Sequence, residues 1–533
     1  MIARVAALAA LAAGCAASSD DSRGAPFDPH AAAPPADYDP IEHARASLGQ
    51  LSNEEASTPA FCYTQAEGKA NTCFACHTRS AAPNFADDWE LQQNYSFTDY
   101  AKTNHWKNQF RERSELVAKY SDDDVLGYIR GNNYAPLQRW LADHPGAPGW
   151  HPDLDFARGF DPAGFASDGS GWRAIRYKPF LGSFWATNGS TDDVFVRLPD
   201  EFRGTRAIYQ TNLAILELAI ASDPKLPPGQ LVRAIEPIDE TAGGIDLDGD
   251  GTLATATRIA GLPAHYAGAA SAVLVVRGLY PQGTEFLHTV RYIDPDAPSS
   301  ASTRMKEVRY AKKTRLLSES QLVAAYAAVE SSDAPQFTGD ALTGVSNPFS
   351  WQLQGWIEDS RGWLRKQTDE EHQFCMGCHT NLGATVDQTF AFARKVPGLA
   401  GWQPQDARGI PDAPELGQTA GEYAQYLERT GGGDELRANA EVHGRFFIDG
   451  QLDPARVAAL RTDITELVTP SRARAIALDR AYLANVIEQS YVWGREASTS
   501  PAKHAMPKIT QRTTGLGEAD RVYRDYKLLL DWH

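Results

Sequence analysis

The apolar pattern of the chain changes character several times. A short continuous run, Val5–Ala13, is followed from Ala16 to about Ser57 by Ala, Pro, Asp and Ser with few large apolar residues. Ser96–Tyr120 reads as helix, with Tyr100, Trp106 and Phe110 as aromatics that could line a pocket. Between about 155 and 315 the texture turns to short runs bounded by Gly, Pro, Asn and Asp: Arg173–Phe180, Asp192–Pro199, Ser271–Tyr280 and Phe286–Ile293. Their β-branched and aromatic content predicts strands, with a helix at Leu213–Ala221. After about 315 helical spacing returns, first in the stretch beginning at Leu317. Asp453-Pro454 and Thr469-Pro470 then read as N-cap and first-turn proline, predicting helices near 454–467 and 470–493. After the N-terminal run no segment reaches the roughly 18 consecutive apolar residues of a membrane span.

Composition adds limits. With 533 residues, 42% hydrophobic and 22% charged, the chain is globular, and about 150 residues per domain predicts three or so domains. The excess of 68 Asp+Glu over 51 Lys+Arg gives a net charge of −17, which argues against nucleic acid as a partner. Six cysteines are too few for a disulfide-built scaffold of this length.

Cysteine position says more than cysteine number. Arg4, the apolar run Val5–Ala13 and the small residues before Cys15 form an export signal. The segment resembles a bacterial lipoprotein signal, which implies cleavage after residue 14, lipidation of Cys15 and an envelope location, with the membrane touched only through the lipid. Ala16 in place of aspartate implies the outer membrane. Residues 16–57 are then expected as a disordered tether.

Two pentapeptides carry the chemistry: Cys73-Phe74-Ala75-Cys76-His77 and Cys375-Met376-Gly377-Cys378-His379. Cys-x-x-Cys-His is the attachment signature of c-type haem. The two thiols reach the vinyl groups on one edge of the porphyrin, and the adjoining histidine supplies the proximal iron ligand. A shared zinc site and a dithiol redox pair are the alternatives. Over these motifs and their flanks the chain resembles di-haem c-type cytochromes. That resemblance implies two covalent haems and an α+β fold in which helical cytochrome c-type haem modules flank a β-rich insert. The expected division is a signal over 1–15, a tether over 16–57, a first haem segment over 58–154, the insert over 155–315 and a second haem-binding helical domain over 316–533. The implied activity is electron transfer to a redox partner, which the acidic surface would select as basic. The alternative is a peroxidase- or oxygenase-like oxidoreductase with one electron-entry haem and one open catalytic haem. Cys62 is left over, as a buried thiol near the first haem or a partner for Cys15.

The sixth iron ligand separates these classes. Among the four methionines, Met305 and Met506 are axial candidates, since Met1 lies in the signal and Met376 inside a motif. For the first haem His105 leads, ahead of His144 and His151. For the second, His443 comes first, then His504 and Met506. His288 alternates with Phe286, Val290 and Tyr292 on one strand face, either as a core histidine or as a ligand to a haem docked on the sheet. His372 reads as a supporting or exposed residue. Finally, Asp246, Asp248 and Asp250, followed by Gly251, match the start of a calcium loop, but Thr257 stands where an EF-hand has glutamate; an exposed acidic turn is the other reading.

Overall fold

A computed structural model describes residues 26–50, 53–65, 72–79, 89–330, 336–431, 439–518, 521–522 and 528–532. Its centre is one antiparallel sheet. Strands β1 (Arg173–Ile175) and β2 (Thr191–Arg197) form one edge. A separate hairpin, β3 (Val232–Asp239) and β4 (Thr255–Ala260), is inserted before β5 (Glu285–Ile293) and β6 (Ala301–Lys313). β7 (Thr338–Asp340), β8 (Gly344–Ser346), β9 (Trp351–Glu358) and β10 (Leu364–Lys366) complete it. The order is β1-β2-β5-β6-β9-β8-β7, with β10 paired to β9.

Both faces of the sheet are covered, so its strands bury residues at nearly every position. Leu287, Phe195, Val308, Met305 and Trp356 pack into one core with Leu137 and Leu141. Phe286, Val196 and Leu353 pack into another with the helix that follows β2. The helices used below are α1 (Asp122–Arg130), α2 (Tyr134–Asp143), α3 (Arg206–Ala221), α4 (Glu319–Glu330), α5 (Asp369–Asn381), α6 (Glu422–Thr430), α7 (Ala440–Phe446) and α8 (Arg472–Glu488). Local sequence explains where several begin. Thr205, Thr368 and Ser471 each accept a backbone N–H in the first turn of α3, α5 and α8. Thr368 and Glu371 complete a capping box on α5.

This architecture overturns the expected fold class. The sheet reaches from residue 173 to residue 366, and α5, which carries the second motif, follows β10 within the same packed body. Helical haem modules do not flank an insert. The first motif lies in a 3-10 turn, Cys73–Ala75, with no α-helix around it. Ser96–Tyr120 is also mostly turns, with a 3-10 stretch at Lys107–Phe110 and a short helix at Ser114–Val117. Ser271–Tyr280 forms no strand beyond an isolated bridge at Leu274. α8 starts after Ser471, not at Thr469.

The expected tether is corrected as well. From residue 26 the chain lies on the body: Phe27 packs edge-on against Tyr120, 5.4 Å between ring centroids. Tyr38 and Ile41 are buried, and the Lys366 N–H donates to the Pro40 carbonyl at 2.6 Å. Composition underestimated this segment because its few apolar residues insert into grooves that other elements have already formed. Cys15 and the export signal lie outside the described residues.

Candidate cofactor cleft at the second motif

On α5, Cys375 and Cys378 are three residues apart and His379 four from Cys375, so the three share one side of the helix. Met376 and Gly377 point into protein: Met376 is buried in the core, and a Cβ on Gly377 would lie 1.6 Å from the Ser57 carbonyl oxygen. The helix is therefore seated with its thiol side turned away from that contact.

Across from the thiols lies the sheet. Val194, His288 and Arg309 are register partners on β2, β5 and β6 and form a row on one face. Three phenylalanines close the space between. Phe390 sits edge-on to His379 at 5.4 Å and to Phe180 at 5.0 Å. Phe184 sits edge-on to His288 at 5.0 Å, and the Arg309 guanidinium lies 5.8 Å from the Phe184 ring. All these side chains, and those of Cys375, Cys378 and His379, are half-buried. Surrounded by protein yet retaining accessible surface, they line a cleft.

The electrostatics favour neutral donors. Burial, reinforced by Arg309 and His288, pulls His379 down to about 4, so it is a neutral imidazole at pH 7. Burial raises the Cys375 thiol and pushes Cys378 up to about 11. The backbone of Gln388, beside the His379 ring, works the other way and favours the protonated form. Gln388 has φ 62°, a left-handed conformation costly for a side-chain-bearing residue. Its surroundings hold it there: the Gly383 N–H donates to Gln388 Oε1, and buried Asp387 accepts from Lys313 Nζ at 2.8 Å and Thr385 Oγ1 at 2.8 Å. On the sheet side, Arg309 Nε donates to Glu307 at 2.8 Å, and Arg495 binds the same carboxylate at 2.9 Å. Burial works against ionisation of Glu307, but the two guanidiniums hold it at about 2. His288 Nε2 lies 2.8 Å from Asp192 Oδ2, which also accepts the Tyr177 hydroxyl.

This donor set suits a flat, covalently held group. Cys375 and Cys378 are free thiols, the imidazole is neutral, the walls are aromatic, and a cation stands at one side. A dithiol pair alone would need neither the adjoining neutral histidine nor the aromatic walls.

The first motif is packed differently. Phe74 and Ala75 are buried with Trp185, Tyr426, Val442 and Phe446, and Gln92 Nε2 donates to the His77 carbonyl at 2.6 Å. Here one candidate distal ligand, expected at the second motif, lies on a helix packed with the first. His443 lies on α7, whose Val442 and Phe446 pack against Phe74, and its ring stacks on Phe447 at 5.0 Å. The strand-like stretch through His504 and Met506 runs beside residues 63–65: the Gln65 N–H donates to His504 at 2.9 Å and the Met506 N–H to Tyr63 at 2.7 Å. Met506 packs in one cluster with Tyr63, Trp106 and Phe374, the residue before Cys375. His105 stacks on Tyr100 at 4.1 Å with Nε2 3.3 Å from the Tyr100 carbonyl. His144 stacks on Trp140 at 3.9 Å, and His151 bonds the Ala147 carbonyl at 2.9 Å. Met305 is buried in the core on the far face of the sheet. His372 is buried on α5 with Nδ1 2.9 Å from the Thr368 carbonyl. Cys62 packs in a cluster with Tyr63, Tyr95, Trp106 and Phe374.

At the acidic loop the converging carboxylates are Glu240, Asp246 and Asp248, whose oxygens lie within 4.8 Å of one another. Asp250 instead caps its own turn, accepting the Thr252 N–H at 2.7 Å. Glu240 is buried and takes three backbone N–H groups, from Leu247, Asp248 and Ala254, at 2.6, 3.3 and 3.0 Å. Sequence reading missed Glu240 because it precedes the loop. It missed Arg309 and Gln388 because neither carries a local motif.

A family model described as "-like lipoprotein" matches residues 46–464. The chain belongs to this lipoprotein family. An uncharacterized lipoprotein of Aquifex aeolicus is 31% identical over 519 residues, covering 83% of this chain and 86% of the relative. No solved structure matches. Family membership makes the chain an envelope-associated, lipid-anchored protein, and among the described residues no helix is long and apolar enough to cross a membrane.

Proposed function

We propose that this lipoprotein is a di-haem c-type protein that passes electrons within the bacterial envelope, anchored through Cys15 in the outer membrane. Cys375 and Cys378 would hold the second haem by thioether bonds with His379 as proximal ligand, and Cys73, Cys76 and His77 would do the same for the first. Bound there, haem supplies a reversible one-electron couple. The chain's own part would be to seat α5 through Gly377, to hold Phe390 edge-on against His379 and to wall the group with Phe180, Phe184 and Phe390. The observation that carries the reading is the placing of Cys375, Cys378 and His379 on one side of α5, facing aromatic rings. A basic redox partner follows from the acidic surface.

Export expression in a host with a haem-attachment system tests this. Intact mass and pyridine haemochrome absorbance should report two haems, falling to one in Cys375→Ala/Cys378→Ala and to one in Cys73→Ala/Cys76→Ala. A folded protein carrying no haem, or two zinc-competent thiol pairs instead, would sink the reading.

A further inference from the structure

We infer that His288 is the sixth ligand of the second haem, bound through Nδ1, and that Asp192 is the positioning residue behind it, setting the potential of that site. The inference rests on the haem reading above and adds to it the ligand and its support. Four observations lead to it. First, the ring stands in the right place. His288 is the register partner of Val194 on β2 and of Arg309 on β6, and Val194 packs in the same core as Cys375. His379 feels the charge of His288 across the cleft, as it feels that of Arg309. Second, the ring is held by its other end. Its Nε2 lies 2.8 Å from Asp192 Oδ2, and that oxygen also accepts the Tyr177 hydroxyl. A carboxylate oxygen only accepts, so Nε2 carries the proton and the neutral ring has its lone pair on Nδ1. Third, the bonded end is enclosed while the ring is not: Asp192 is 1% exposed, whereas His288 keeps 21% of its side chain accessible, beside Phe184 at 5.0 Å. Fourth, a sixth ligand has to come from across the cleft. His372 lies on α5 itself, seven residues before His379 and so on the same side of the helix. Met305 is on the far face of the sheet, and Met506 packs with Phe374, about 100° round α5 from Cys375.

A carboxylate behind a ligating imidazole fixes the ring and raises its basicity. A central strand paired on both sides is a rigid mount for such a ligand. With His288 in the sixth position the second site is a closed, six-coordinate electron carrier. The negative charge of Asp192 then favours the oxidised iron and lowers the potential.

The test uses the full-length holoprotein in the Cys73→Ala/Cys76→Ala background, where every haem signal comes from the second site. Electron paramagnetic resonance of the oxidised form, carbon monoxide difference spectra of the reduced form and a potentiometric titration are recorded. The expected result is a low-spin iron that binds no carbon monoxide. His288→Ala should turn the iron high-spin and open it to carbon monoxide, and added imidazole should restore the low-spin signal. His288→Met keeps a ligating atom and should stay low-spin with altered g values and a raised midpoint potential; it decides the matter if His288→Ala does not fold. Asp192→Asn keeps an acceptor without the charge, so it should stay low-spin and raise the midpoint potential, a shift that a purely structural role would not produce. Wild-type g values in the His288 variants, or a background protein already high-spin and carbon monoxide-binding, overturn the inference. An unmoved potential in Asp192→Asn overturns the part given to Asp192. Absence of haem on Cys375 and Cys378 defeats the earlier reading instead.

Discussion

Asp387 joins the sheet to the loop that sets Phe390 edge-on against His379, and its removal should be costly. The side chain is fully buried and accepts Lys313 Nζ at 2.8 Å, Thr385 Oγ1 at 2.8 Å and Thr389 Oγ1 at 3.2 Å. Asp387→Ala would leave the Lys313 ammonium, itself fully buried, facing the Phe349 carbonyl at 2.8 Å and the Trp351 ring at 5.1 Å without a counter-charge from Asp387. Breaking one partner out of a buried pair costs about 3–5 kcal/mol, because the other charge stays desolvated and uncompensated. Removing both charges in Lys313→Met/Asp387→Ala should recover most of that loss, since the unpaired ammonium is gone. Urea titration followed by tryptophan fluorescence and by the second haem's absorbance would measure both variants. The expected order is wild type, then the double variant, then Asp387→Ala. With the proposed haem bound, its signal in Asp387→Ala should change at lower urea than the bulk fluorescence, as Gln388 relaxes from φ 62° and the loop loosens beside His379. An Asp387→Ala variant within about 1 kcal/mol of wild type, below even a typical buried-pair loss, would show that the pair does not hold the loop.

Two further outcomes follow from buried carboxylates. Burial pushes Asp479 up to about 8, Lys306 only partly offsetting it, and its Oδ2 has no hydrogen-bond partner. A carboxyl whose folded pKa lies above its unfolded value binds more protons when folded, so its contribution is intact below the unfolded value near 4 and is lost as pH rises toward 8. Asp479→Asn should therefore melt higher than wild type at pH 9 and no higher at pH 4 in scanning calorimetry; a pH-independent difference contradicts the assignment. Glu240→Ala strips three backbone N–H groups of their acceptor and should destabilise by about 1–3 kcal/mol, whereas exposed Asp250→Ala should change stability by less than about 0.5 kcal/mol. Equal effects by thermal denaturation would place the anchoring of the loop elsewhere.

What could be read from the chain was what is local. The two motifs are five-residue patterns, and α3 is marked by its Thr205 cap and by the apolar run that follows. The sheet was read only in part, because Trp351–Glu358 is buried on both faces and shows little alternation of apolar and polar positions. The cleft was hidden for another reason: its floor comes from β2, β5 and β6, and only strand register places Val194, His288 and Arg309 in a row. Charged residues such as Lys313, Asp387 and Arg309 read as surface by type and are enclosed in fact, because each is paired. The distal candidates were assigned by nearness in sequence, and α7, which carries His443, departs from that by packing Val442 and Phe446 with Phe74.

The docking of Phe27 against Tyr120 also sets a leash. With Cys15 as the lipidated residue, the chain from there to Phe27 spans at most about 40 Å when fully drawn out, whatever its path. A tether ending at residue 57 would have allowed more than three times that reach. The face bearing Phe27, α1 and the His30–Asp124 contact must therefore ride close to the bilayer, as a cap over its anchor. On the proposed electron-transfer reading, a donor or acceptor would have to meet this protein in that thin layer. A partner on another membrane would need long reach of its own, while one held in the same leaflet would find it by diffusing in two dimensions.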